Sequence, residues 1–158
     1  MIRIGHAWDT HRLVQGRKLI LGGVLVESKI GLLGHSDADV VLHAVAESLL
    51  GSLALGDLGT FYPDNSDRTL NMDSKIILKQ CYQRVKDLGY RLNNLDLTIY
   101  SQNIRISPIR ERIKESIANI LEIDKSLVSV KATTYEKMGF IGRGEALACE
   151  CVCLVENF

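Results

Sequence analysis

The sequence predicts a single α+β domain, 1–158, in which a mixed β-sheet is covered on one face by helices. Three observations predict it. Apolar, β-branched runs bounded by turn residues occur near both ends and in the middle of the chain. Segments whose apolar residues return at helical spacing lie between them. One pair of runs is joined only by Gly22-Gly23, a tight hairpin, so part of the sheet must be antiparallel. With 158 residues, the chain is long enough to bury a core of its own.

Taken in order, Ile2 to His11 reads as a strand, and Lys18 to Leu21 pairs across Gly22-Gly23 with Val24 to Val26. From Asp37, a possible cap, a helical pattern takes over: Val41, Val45 and Leu49 form one stripe, and Asp39, His43 and Glu47 another. Residues 51–73 hold Gly56-Asp57-Leu58-Gly59 and Tyr62-Pro63-Asp64-Asn65 with too little periodicity for regular structure, and are expected to form a long functional loop. A second helix runs from about Ser74 to Leu88 and stops at Gly89. Leu95 to Ser101 is a strand. Ser107-Pro108 is expected to start a third helix ending near Leu121, with the serine as cap and proline at the first helical position. Leu127 to Thr134 and Ala146 to Val155 complete the strands, joined by a loop that carries Lys137, Gly139, Phe140, Gly142, Arg143 and Gly144.

Composition excludes some functions. Nineteen basic and nineteen acidic residues leave no formal net charge, which argues against a broad nucleic-acid surface while allowing a focused anion site. No apolar run approaches a membrane span, and the first strand begins at Ile2, leaving no room for a leader. A soluble, cytoplasmic protein is expected; a processed plastid-type protein would read the same way. Of the four cysteines, Cys149, Cys151 and Cys153 alternate along one strand, too spread for one tetrahedral ion and poorly placed to bridge one another. They and Cys81 are read as small buried residues.

The strongest chemical signal is Asp9-Thr10-His11 with His43. On a strand, Asp9 and His11 share a face with Cα atoms about 6.5 Å apart, close enough for one cation. A nitrogen from His43, on a separate element, gives three ligands of the types zinc accepts and leaves a fourth position open to substrate. Manganese, iron or cobalt would suit the same ligands. His6 falls on the opposite strand face and is read as packing. His35 precedes a helix, where it can meet a ligand, and Asp39 and Glu47 are candidate acceptors for the outer proton of His43.

The segments GHAWDTH, GLLGHSDADVVLHA, LLGSLALGDLGTFYPD, VKATTYEKMGFIGRGE and ALACE, in this order over nearly the whole chain, closely resemble the 2-C-methyl-D-erythritol 2,4-cyclodiphosphate synthase family. The resemblance implies cyclisation of 4-diphosphocytidyl-2-C-methyl-D-erythritol 2-phosphate with release of CMP, on the methylerythritol phosphate route to isoprenoids. It also implies a homotrimer with active sites between subunits. Asp9, His11 and His43 match the family's zinc ligands, and His35 and Ser36 its substrate-contacting pair. Asp57, Leu58 and Gly59 match a stretch that binds the methylerythritol part, and Tyr62, Pro63, Asp64, Asn65 and Ser66 a further substrate loop. Thr133, Thr134, Tyr135 and Glu136 fall at the cytidine diphosphate end, where Glu136 resembles a carboxylate holding Mg2+ or Mn2+ against the phosphates. Ser101, Gln102, Asn103, Ile104, Arg105, Ile106 and Ser107 overlie the segment that reads cytosine. Phe140 and Arg143, with Arg143 pairing Glu150, would line a trimer channel able to hold an isoprenoid diphosphate.

Three departures stand out. Ala7-Trp8 replaces glycine-phenylalanine, Ala38 replaces glycine, and Ile104-Arg105 replaces proline-lysine, which keeps the charge but alters the loop.

Phosphoryl transfer depends on positioning and electrostatics, so the lack of an activated serine or cysteine suits this chemistry. His35 and Thr134 are assigned as hydrogen-bonding catalytic residues. A non-catalytic phosphoryl-ligand binder and a zinc phosphohydrolase are the rival readings. Retention of Glu136 and the 57–66 region favours cyclisation.

Overall fold

The computed structural model describes all 158 residues. Strand β1 (Ile2–Gln15) runs past its expected end at His11 and pairs antiparallel with the last strand, β7 (Ala146–Asn157), from Ile2 opposite Glu156 to Arg12 opposite Ala146. The expected hairpin is β2 (Leu19–Leu21) and β3 (Val24–Val26). Gly22 and Gly23 both have positive φ, 62° and 78°, the backbone such a two-residue turn requires. A short strand that the sequence reading missed, β4 (Ile30–Leu33), pairs with the far end of β1. With β5 (Tyr90–Tyr100) and β6 (Val128–Thr133), the main sheet has the order β4-β1-β7-β5-β6. Only β5 and β6 are parallel, which makes the sheet mixed as expected.

Helix α1 (Val40–Ser52) lies between this sheet and α3 (Ser74–Asp87), and is therefore apolar nearly all round rather than in one stripe. Val41, Val45 and Leu49 are buried, and so are Val40, Leu42, Ala44, Ala46 and Leu50. Gly5 lets the helix come this close, because a Cβ there would sit 1.9 Å from the Ser48 carbonyl oxygen. Truncating Leu49 to alanine should cost about 2–5 kcal/mol. Helix α4 (Arg110–Leu121) packs beside β6, so the helices share one face of the sheet.

Two expected helix starts are corrected. Asp39, not Asp37, caps α1: its carboxylate accepts the Val41 and Leu42 N–H groups and also those of Gly22 and Gly23. Asp39 thereby ties the hairpin to the helix, and burial pushes its carboxyl up to about 6 despite the N–H donors. Ser107-Pro108 forms a turn, and α4 starts at Arg110 without a side-chain cap. The expected loop after Gly51 begins later, because α1 continues to Ser52, and it contains a short helix α2 (Leu58–Phe61) capped by Asp57. Another short helix, α5 (Gly139–Gly142), interrupts the loop before β7. All four cysteines are buried and unpaired, as read. No helix is long and apolar enough to cross a membrane.

Candidate metal centre and substrate cleft

Strand alternation places Asp9 and His11 on the sheet face that α1 covers, since Cys149 and Leu147 opposite them are core residues. Helix α1 sets His43 over the pair. Asp9 Oδ2 lies 3.0 Å from His11 Nε2 and 3.4 Å from His43 Nδ1, and the two nitrogens are 3.3 Å apart. Tetrahedral zinc with bonds of about 2.0–2.1 Å spaces its ligand atoms by about 3.3–3.4 Å, so this donor set fits such an ion. The three side chains are between 12% and 25% exposed, which leaves an approach from solvent.

Other contacts aim these atoms. Asp9 Oδ1 accepts the Thr10 N–H at 2.9 Å, which turns Oδ2 to the histidines. His11 Nδ1 lies 3.0 Å from the Leu33 carbonyl, which can only accept, so Nδ1 carries the proton and Nε2 presents its lone pair. Burial pushes the Asp9 carboxyl up, but the hydrogen bonds and charges of His11 and His43 outweigh it and hold the group down at about 2. Burial alone would lower His11, yet Asp9 and the Leu33 carbonyl raise it. The pair attracts positive charge, and a divalent cation can take the proton's place. Neither expected acid serves the outer nitrogen of His43: Asp39 is engaged by four backbone N–H groups, and Glu47 accepts the Leu58 N–H. Instead, His43 Nε2 faces Ser74 Oγ at 2.8 Å and Ser36 Oγ at 3.2 Å. Ser74 was missed by sequence reasoning, because its distance from His43 along the chain leaves no spacing signal.

The loop from His35 to Asp37 runs beside this centre. His35 Nε2 donates to the Ser66 carbonyl at 2.9 Å, which joins two segments the sequence assigned separately. The Asn71 N–H donates to the His35 carbonyl and the Asp37 N–H to Met72. Asp57 is exposed and accepts from the Thr60 N–H and hydroxyl, with Leu58 and Gly59 opening α2. Tyr62 bonds to Gln80, Thr69 closes on the Pro63 carbonyl, and Asp64 and Asn65 are exposed between them.

A separate open cleft of about 210 Å³ lies at the other edge of the sheet. It is lined by Ser101, Gln102, Ile104, Arg105, Ile106 and Ser107 together with Thr133 and Thr134, as the sequence grouped them. Arg110, the first residue of α4, also lines it and was not foreseen, because the helix was expected to begin earlier. Asn103 lies outside the cleft, against Gly144. Glu136 (φ 51°) and Lys137 (φ 63°) adopt left-handed backbone in sequence. The Gln102 carboxamide oxygen holds this turn by accepting the Tyr135 and Lys137 N–H groups at 3.3 and 3.1 Å. Tyr135 stacks edge-on against Tyr100, and Glu136 is exposed.

The two halves do not meet within one chain. Thr133 is level with Thr10 across β5 and β7, three strand spacings or about 14 Å away, and on the sheet face opposite Asp9 and His11.

Two further expectations are corrected. Glu150 does not pair with Arg143; it accepts from His6 Nε2 at 2.7 Å and the Tyr100 hydroxyl at 2.6 Å, while Arg143 pairs with its near neighbour Glu145. His6 does lie on the face opposite Asp9, but its side chain is exposed rather than packed. Phe140 is also partly exposed.

Comparison with known proteins places this geometry. The model of the YgbB family matches residues 2–156. A 2-C-methyl-D-erythritol 2,4-cyclodiphosphate synthase from Geobacillus sp. strain WCH70 is 51% identical over 157 residues, 99% of each chain. Among solved structures, the bifunctional IspDF from Campylobacter jejuni superposes with a TM-score of 0.97 at 36% identity, covering 100% of this chain and 43% of that longer one. A CDP complex of IspF from Plasmodium falciparum has a TM-score of 0.87 at 34% identity, covering 99% of this chain and 96% of that one.

Proposed function

The chain belongs to the YgbB family, and from that premise we infer that it cyclises 4-diphosphocytidyl-2-C-methyl-D-erythritol 2-phosphate to 2-C-methyl-D-erythritol 2,4-cyclodiphosphate with release of CMP. It is thus a lyase of the methylerythritol phosphate route to isoprenoid precursors. The observation that carries the reading is the convergence of Asp9 Oδ2, His11 Nε2 and His43 Nδ1 within 3.0 to 3.4 Å of one another. An oxygen of the 2-phosphate bonds to the β-phosphorus as the bond from that phosphorus to the CMP oxygen breaks. The nucleophile is already an anion, so the barrier lies in bringing phosphates together rather than in removing a proton.

Zinc held by Asp9, His11 and His43, and Mg2+ or Mn2+ held by Glu136, would supply charge stabilisation and polarisation to the phosphates. The protein's own groups then fix the substrate. His35 is anchored through Nε2 on the Ser66 carbonyl; with Ser36 it orients the phosphates, and Thr134 does so from the other side. Asp57 to Gly59 and Tyr62 to Ser66 take the methylerythritol part. The cleft from Ser101 to Ser107 takes the cytidine, consistent with the CDP bound to the Plasmodium falciparum protein.

The same geometry supports the homotrimer that the family resemblance implies. Cations acting on adjacent phosphates sit about 4 Å apart, whereas one chain separates its two halves by about 14 Å. In this reading the second half is supplied by a neighbouring copy. The sheet face away from α1 supports this, with Ile2, Ile4, Trp8 and Val152 exposed at 64%, 68%, 41% and 39%. Phe140 and Arg143 would then belong to an axial site for an isoprenoid diphosphate. Phosphorus NMR with the authentic substrate tests the activity: a cyclic diphosphate and CMP should form with no solvent oxygen in the product. Oxygen from labelled water in the product would make the protein a hydrolase instead.

A further inference from the structure

The outer nitrogen of His43 opens onto a short chain of polar groups. Ser74, the first residue of α3, is fully buried, and its Oγ lies 2.8 Å from His43 Nε2. Its hydroxyl also contacts Asp37 Oδ1, while its backbone N–H donates to Asp37 Oδ2 at 2.9 Å. A carboxylate can only accept, so the serine proton goes to Asp37. Ser74 Oγ is then left to accept from His43, which fixes the proton on Nε2 and leaves the lone pair on Nδ1, the atom that faces Asp9 and His11.

We propose that Asp37 and Ser74 are positioning residues that set the His43 tautomer, and so prepare Nδ1 to bind the divalent cation, through the hydrogen-bond chain Asp37 carboxylate, Ser74 hydroxyl, His43 imidazole. The inference deepens the metal reading above and rests on it. Ser36 is the alternative partner at 3.2 Å, but its oxygen already accepts the Ala38 N–H and has no carboxylate behind it to set its direction. The same chain joins the metal to the loop before α3. The Asp37 N–H is bonded to Met72 and the Asn71 N–H to His35, so the segment that follows Ser66 and the ligand His43 share one frame. A shift in that loop would be felt at the metal.

The test is zinc affinity by chelator competition in wild type, Ser74→Ala, Ser74→Thr, Asp37→Asn and the Ser74→Ala/Asp37→Asn double variant. Nitrogen NMR of His43 in the zinc-free proteins accompanies it. Outer partners of metal-bound histidines are worth about 10–100-fold in affinity, and a loss in that range is expected for Ser74→Ala and for Asp37→Asn. The double variant should lose no more than the worse single one, because Asp37 acts only through Ser74. Ser74→Thr should restore binding, and His43 should lose its Nε2–H preference in the alanine variant. Wild-type affinity with an unchanged tautomer in Ser74→Ala, or additive losses in the double variant, overturns the chain while leaving the metal site standing. Wild type that binds no zinc overturns the metal reading and the chain together. If Ser74→Ala does not fold, the His43 tautomer in Asp37→Asn decides: retained Nε2–H overturns the proposal.

Discussion

Asp9 and His11 sit on a long strand beneath a buried helix, whereas Thr134, Tyr135 and Glu136 hang from the end of an edge strand. In the first region each ligand side chain has a second contact that fixes its direction, and the helix above them belongs to the core. In the second, the backbone turns through two left-handed residues braced by the Gln102 carboxamide and the Thr134 hydroxyl. A metal centre depends on donor atoms held to fractions of an ångström, and regular elements supply that; a nucleotide cleft can be shaped by loops. The departures fall in both regions, with Ala7-Trp8 and Ala38 in the first and Ile104-Arg105 in the second. Ile104-Arg105 changes the cleft, and no ligand of the metal group changes. Ala38 lies next to the metal group, and its φ of 59° explains why glycine suits that position.

The contrast is broken most strongly by removing a ligand from the rigid half. His43→Ala should lose most of its zinc and lower turnover by roughly a thousandfold, since several kcal/mol of charge stabilisation go with the ion. Elemental analysis checks the first, and circular dichroism should show the fold kept. Full zinc occupancy in this variant would remove the assignment. In the looser half, Glu136→Gln should lower turnover by roughly tenfold to a hundredfold at limiting magnesium while zinc stays bound. Unchanged turnover there would mean that Glu136 holds no cation.

Acidity sharpens the contrast through His11 in the rigid half. His11 is raised above 6.5, so below its folded value a proton competes with the cation, and zinc affinity should fall by about tenfold per pH unit. Above that value the dependence should flatten. In the metal-free protein the sign reverses. Protonated His11 beside Asp9 adds stability that is fully present below the unfolded value of 6.5 and is lost as pH rises through the folded one. Thermal melts with and without zinc should therefore diverge as pH rises, and parallel curves would contradict the competition.

The last test asks whether the halves meet across subunits. Asp9→Ala and Glu136→Ala chains, inactive alone, should regain about a quarter of wild-type turnover when mixed equally as trimers, since each site draws one half at random from each of two neighbours. No recovery in verified mixed trimers would place both halves on one chain.

How much of this was legible depended on periodicity. Asp9, His11 and His43 could be read because a two-residue period and a helical stripe each fix a direction. β4 was not legible, since Ile30-Gly31-Leu32-Leu33 is short and gains its strand character only from pairing with β1. The sequence points to Asp37 as the cap of α1; Asp39 takes that place with a carboxylate that also meets the hairpin glycines, which are distant in sequence and give no local signal. The Glu150 pairing failed for a related reason. Closeness in sequence pointed to Arg143, while strand register brought Tyr100 and His6, each diagonal to it, to the acid.

Cys149, Cys151 and Cys153 line the face of β7 beneath α1, and Ser48 on that helix donates to the Cys151 sulfur. Burial pushes the Cys151 thiol up to about 12 and the Cys149 thiol well above its usual value. A thiol reagent meets almost no thiolate and no open path while the helix stays in place. Alkylation at these positions consequently has to wait until α1 leaves the sheet, so its rate is a clock for the opening of the central core, built into the native sequence.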